Sequence, residues 1–117
     1  MGVTFVETSV FTRRIIALGL EEPLRELQVR LLENPNLGDI DPATGGLRKV
    51  RMSDPARGKG SRSGARVHYL SVPHLELILL LFVYTKASLG TLTQAQKHAL
   101  KAVVRLSKEE FRKGPHG

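Results

Sequence analysis

The spacing of apolar residues changes along this chain. It is helical from Val10 to Leu31, strand-like from Leu47 to Tyr84, and helical again from Leu100 to Phe111. Ahead of the first helical stretch, Val3 to Glu7 reads as a short strand. Thr8 or Ser9 caps a helix running to Leu18, with Val10, Phe11, Ile15 and Leu18 on its apolar side, and Gly19 stops it. A second helix runs from Glu21 to Glu33. Its two leading glutamates suit the positive helix end, and Pro23 is tolerated in a first turn. Leu24, Leu27 and Leu31 make its buried stripe, while Arg25, Glu26, Arg30 and Glu33 face water. Asn34-Pro35-Asn36 ends it, because a residue before proline is pushed out of the helical region.

Leu37 to Gly46 reads as a loop in which Asp39 and Asp41 are turn formers. Strands are expected at Leu47–Met52, Ala65–Ser71 and Leu75–Thr85, the last two forming an antiparallel hairpin through Val72-Pro73-His74. The apolar run Leu77 to Tyr84 is far shorter than the ~20 residues a membrane-spanning helix needs, and reads as a buried strand. Thr93 and Gln96 match a capping box that opens a last helix to about Phe111, and residues 112–117 read as a frayed tail. The order β-α-α-β-β-β-α predicts one α+β domain over residues 1–117: a small antiparallel sheet with helices packed on one face and the other face open.

Strand parity then makes a prediction about that second face. If Val50, Val67 and Tyr69 point to the helices, Lys49, Arg51, Arg66 and His68 point away, and Tyr84 and Lys86 at the end of the next strand join them. A slip of one residue would scatter the set.

Charge makes this surface the centre of interest. The segment 45–69, a basic strand-loop-strand, carries Arg48, Lys49, Arg51, Arg57, Lys59, Arg62 and Arg66 against one acid, Asp54. The whole chain has a net charge of +7 and a pI near 10.3, which favours polyanions, and nucleic acid first. There are 0 cysteines, which removes disulfide and thiolate chemistry and fits a reducing, cytoplasmic setting. His68, His74, His98 and His116 have no metal-ligand spacing, so neither metal nor cofactor is expected. The glycines of GKGSRSG lack the spacing of a phosphate loop. The N-terminal text has no basic-then-apolar leader pattern and Val6 stands where a myristoylation signal wants Ser or Thr, so neither a leader nor a lipid anchor is expected. The scarcity of carboxylates in the basic segment argues against glycosidase chemistry, which needs a carboxyl pair.

A helical hairpin followed by NPNLGD, then GGLRKVR, a glycine- and arginine-rich linker ahead of RVHY, and VYTK before LT-x-x-Q-K resembles the RelE/HigB superfamily of type II toxins, most closely its HigB-like branch, over residues 3 to 107. The resemblance implies a RelE-like fold and a ribosome-dependent endoribonuclease that cuts mRNA and is neutralised by a cognate helix-turn-helix antitoxin. It matches Lys49 and Arg51 to the family's paired basic residues, Arg66 to the arginine before its hydrophobic third strand, and Lys86 to a basic residue past the fourth. Two departures stand out. The linker reads GKGSRSGAR where relatives have a GKRGG-like run, and no C-terminal catalytic tyrosine or histidine is evident.

Cutting RNA without a metal requires in-line attack by the 2′-OH, removal of its proton and stabilisation of the phosphorane. Arg66 suits the phosphate, because its planar fork reaches two oxygens and stays charged. Lys49, crowded by Arg48, Arg51 and Arg66, is one candidate base, and His68 is the other. Lys86 or Arg51 would stabilise the leaving oxygen or its phosphate. Tyr84 would stack on a base or pack in the core, and Arg57, Lys59 and Arg62 would touch ribosomal RNA or simply be solvated. The alternatives are a module that binds RNA without cutting it, and a degenerate toxin kept as an antitoxin partner or co-repressor.

Overall fold

The computed structural model describes residues 2–54 and 64–85, together with the helical positions Gln94, His98, Lys101, Ala102, Arg105 and Glu109. Lys86, Arg57, Lys59, Arg62, the Thr93/Gln96 capping box and the 112–117 tail lie outside the described residues.

The chain opens with β1, Thr4–Glu7. The Thr8 hydroxyl accepts the amide of Phe11 at 3.1 Å and so caps α1, Ser9–Leu18. The same hydroxyl donates to the Leu81 carbonyl at 2.8 Å, tying the helix start to the sheet. Gly19 ends α1 in the left-handed region, at φ 67°, and its amide and that of Leu20 close back on Ile16 and Ile15. Helix α2 spans Glu21–Glu33 and buries Pro23, Leu24, Leu27 and Leu31. Strands β2 (Asp39–Asp41), β3 (Leu47–Met52), β4 (Ala65–Val72) and β5 (Leu77–Tyr84) complete the described elements, with short 3-10 turns at Pro42–Thr44 and Pro73–Leu75.

The five strands form one sheet in the order β1-β5-β4-β3-β2. The neighbours from β2 to β5 are antiparallel, but β1 runs parallel to β5, so the sheet is mixed and the expectation of a purely antiparallel one is corrected. The cause is the path of the chain. Leaving β1, it crosses the sheet through α1 and α2 and returns by hairpins, and a parallel pair needs such a long crossover. A second correction concerns β2. Asp39–Asp41 is an edge strand paired with β3, because Ile40 and its flanking acids alternate along a stretch whose backbone finds β3 as a partner.

On one face the helices meet the sheet. Phe11, Ile15, Leu24, Leu27 and Leu31 pack with Val50, Met52, Ala65, Val67, Tyr69, Ile78, Leu80 and Val83. The opposite face is not open along its length, contrary to expectation. Leu47, Leu70, Val72, Leu79 and Leu81 form a second buried cluster there. The near-continuous apolar text of β5 is that of a strand buried on both sides. Among the described residues, no helix is long and apolar enough to cross a membrane.

Alternation in β5 is broken once. Tyr69 pairs with Leu80, yet His68 pairs with Phe82, so Leu81 is an extra residue in the ladder. Unbroken alternation from Ile78 and Leu80 would turn Phe82 and Tyr84 toward the helices. The bulge turns them to the other side.

Candidate nucleic-acid interface

Register builds the site. Beyond the second apolar cluster, the face opposite α1 and α2 carries two cross-strand rows. One runs Asp39–Lys49–His68–Phe82 over β2, β3, β4 and β5, and the next runs Arg51–Arg66–Tyr84 over β3, β4 and β5. The expected association of Lys49, Arg51, Arg66, His68 and Tyr84 on one face is therefore what the fold contains. Arg48 does not join them. It pairs with Tyr69, on the helix side, and its guanidinium donates to the Gly38 carbonyl at 2.7 Å.

Arg51 stands directly across from Arg66. Side chains so placed are about 5 Å apart at Cβ, and like charges there destabilise a sheet. Arg51 is exposed and Arg66 half-buried. Arg66 is aimed by a 2.9 Å hydrogen bond from its guanidinium to the Gly64 carbonyl. Two arginines at directly opposed strand positions suit a ligand with several anionic oxygens.

Lys49 is exposed, but its surroundings differ from expectation. Its direct neighbour on one side is Asp39 and on the other His68, while Arg48 points to the opposite face. The picture of Lys49 crowded by cations alone is thus corrected: β2 brings a carboxylate beside it.

His68 is fully buried. Its Nε2 lies 3.5 Å from Asp41 Oδ2, and its ring stacks on Tyr84 with centroids 5.9 Å apart and planes 19° from parallel. Phe82 flanks the same tyrosine at 6.0 Å. Burial pushes the Tyr84 phenol above its ordinary value of 10.0; nearby Arg66 pulls it back and Asp41 raises it further. The phenol therefore lies within electrostatic reach of both Arg66 and Asp41, and it is protonated at neutral pH. A ring with no exposed surface is out of direct reach of a ligand held outside the protein.

Sequence reasoning missed three contributors. Asp41, read as a turn former, reaches His68 from β2; the polar-apolar-polar alternation of Asp39-Ile40-Asp41 was the available signal. Arg14, from α1, reaches the edge of β5, where its Nε donates to the Val83 carbonyl and its guanidinium lies 5.0 Å from the centre of the Phe82 ring. Phe82 itself is brought to this face by the Leu81 bulge. Among the described residues, no group of three or more His, Asp and Glu side chains is arranged to hold a metal ion. No protein-family model matches the chain.

Proposed function

We propose that this protein is the toxin of a type II toxin–antitoxin pair of the RelE/HigB kind, an endoribonuclease that cuts mRNA on the ribosome without a metal. The observation that carries the reading is the Arg51–Arg66 pair, two arginines at opposed strand positions with exposed Lys49 in the adjacent row of the same face. Such a pair costs the fold stability, and an anionic ligand between the two side chains offsets that cost. The motif order GGLRKVR, RVHY and VYTK supports the same reading from the sequence.

In this mechanism Arg66 and Arg51 hold the scissile phosphate and neutralise the charge that grows on it as the 2′-OH attacks in line. Lys49, exposed in the adjacent row, would receive the 2′-OH proton in its neutral amine form. As the P–O5′ bond breaks, Arg51 or Lys86 stabilises the leaving oxygen, which takes its proton from the Lys86 ammonium or from water. The partner is a helix-turn-helix antitoxin encoded alongside, and the working compartment is the cytoplasm.

The test is induction of the protein alone in growing bacteria, with mRNA ends mapped on translating ribosomes. Wild type should arrest growth and generate new ends. Arg66→Ala should cleave on the order of 100-fold more slowly, as does loss of one transition-state donor elsewhere. Salt-dependent RNA binding with no cleavage, even on ribosomes, would leave the non-catalytic binding module or antitoxin partner as the function. Unchanged toxicity and cut sites in both Arg66→Ala and Lys49→Ala would remove the site assignment.

A further inference from the structure

Asp41, His68 and Tyr84 come from β2, β4 and β5 and meet on the charged face, yet none of them is among the exposed cations assigned to the phosphate. Their arrangement is sequential. The Asp41 carboxylate lies 3.5 Å from His68 Nε2. The His68 ring is stacked on Tyr84. Tyr84 stands directly across from Arg66. The charged and titratable groups on this part of the face are Asp39 and Asp41 on β2, Lys49 and Arg51 on β3, Arg66 and His68 on β4, and Tyr84 on β5, with Arg14 reaching over Phe82 from α1.

A side chain at the end of a strand, turned outward by a bulge, has a choice of ring planes unless something packs against it. His68 supplies a flat surface on one side, and Phe82 flanks the ring at a 34° tilt. A histidine is a costly way to do this, since burying a polar ring is penalised, and here the Asp41 carboxylate is brought to 3.5 Å from Nε2. Phenylalanine or leucine would fill the space more cheaply. The polar pair becomes intelligible if it sets the ring's orientation rather than merely occupying volume.

We infer that Asp41 and His68 are positioning residues: Asp41 orients the imidazole, the imidazole fixes the plane of Tyr84, and the Tyr84 hydroxyl is thereby held beside Arg66 as a hydrogen-bond donor to the phosphate bound there. The use of this hydroxyl in cleavage rests on the endoribonuclease reading; the clamp itself does not. As a neutral phenol, Tyr84 donates without adding charge and complements two guanidiniums that are already charged.

The experiment follows the two tyrosines by NMR in protein labelled with 13C at the tyrosine Cζ, which reads titration, and at Cε, which reads ring flips, assigned with Tyr69→Phe, alongside cleavage on translating ribosomes. Asp41→Asn, His68→Ala and His68→Phe are compared after the backbone amide spectrum confirms each is folded. Asp41→Asn should shift the Tyr84 resonance and lower its titration midpoint, because the raising charge is gone. His68→Ala should shift it further and allow faster ring flips, and His68→Phe should restore slow flips. Cleavage should fall on the order of tenfold to a hundredfold in Asp41→Asn and His68→Ala, chiefly in the turnover rate, with partial recovery in His68→Phe. If His68→Ala does not fold, Asp41→Asn and His68→Phe decide. Tyr84 signals that stay in place in Asp41→Asn and in every folded His68 variant would overturn the clamp. Signals that move while cleavage is unchanged would overturn its part in catalysis. If wild type cuts no RNA, shifted Tyr84 signals still support the clamp, and the loss falls on the endoribonuclease reading alone.

Discussion

Tyr69 and Tyr84 are the only tyrosines of the chain, and they stand on opposite faces of one sheet. Tyr69 looks toward the helices. Its hydroxyl accepts the Gly38 amide at 2.9 Å and donates to the Pro35 carbonyl at 2.9 Å, so both backbone groups of the turn after α2 are satisfied in the core. Tyr84 looks the other way, stacked on His68 and placed across from Arg66. Both are buried and both phenols are raised above 10.0, yet the first is held by backbone and the second lies between the His68 and Phe82 rings within electrostatic reach of Arg66 and Asp41. The contrast separates two uses of the same residue type. On the helix face a polar atom closes the fold, whereas on the opposite face the buried His68 and Tyr84 lie beside the more exposed Lys49, Arg51 and Arg66, at some cost to the fold. Substitutions on the helix face should therefore change stability and leave RNA binding per folded molecule intact, and substitutions of the exposed Lys49 and Arg51 on the other face should do the reverse.

The largest expected effect falls on the helix face. Leu80 is fully buried between the helices and the sheet, and Leu80→Ala should cost about 2–5 kcal/mol in urea denaturation. RNA affinity of the fraction that remains folded should match wild type. A loss of affinity as large as that of Arg66→Ala would show that the two faces are not separable.

Tyr69→Phe comes next. It leaves the Gly38 amide and the Pro35 carbonyl short of a partner, a loss of about 1–3 kcal/mol. Its pH dependence has a definite sign. The folded-state pKa of Tyr69 is raised above 10.0, first by burial, with the Gly38 hydrogen bond and Arg48 acting in the opposite sense. The associated stability is complete below pH 10 and is lost as pH climbs through the folded value, because the unfolded chain gives up its proton first. Denaturation from pH 8 upward should show the gap between wild type and Tyr69→Phe narrowing above about pH 10. A gap that stays constant or widens would contradict the assignment. Thr8→Ala should be milder, about 1 kcal/mol, although Thr8 serves both α1 and the Leu81 carbonyl.

Much of the helix face was legible in the sequence. The leucine spacing from Leu24 to Leu31 and the stop at Asn34-Pro35 mark α2 to its last residue, and Leu47–Met52 marks β3. Both are local statements, since periodicity and turn chemistry involve residues that are neighbours in the chain. The outlying features were not local. That β1 lies parallel to β5 depends on a partner more than 70 positions away. Nor is the Leu81 bulge written in LILLLFVY, where every residue is apolar and no position announces the skip. Yet this one extra residue decides that Tyr84 shares a face with Arg66. The grouping of Lys49, Arg51, Arg66 and His68 followed from parity alone, but the burial of His68 did not, because parity gives a face and says nothing of what covers it.

The smallest effect on stability tests the contrast most sharply. Arg51 and Arg66 face each other with no carboxylate between them in their row, whereas Lys49 has Asp39 across from it. If the arginine pair served the fold, removing Arg51 would weaken it. If it is held ready for an anion, Arg51→Gln relieves a like-charge contact and should leave stability unchanged or raise it by roughly 0.2–1 kcal/mol, more at low salt than at high. The same variant should bind single-stranded RNA more weakly, with the slope of log affinity against log salt reduced by about one phosphate contact. Stability and affinity moving in opposite directions would mark the pair as a place where the fold accepts repulsion so that a ligand can relieve it. A clear loss of stability in Arg51→Gln, with RNA affinity untouched, would instead assign this arginine to the fold and make the two faces of the sheet alike.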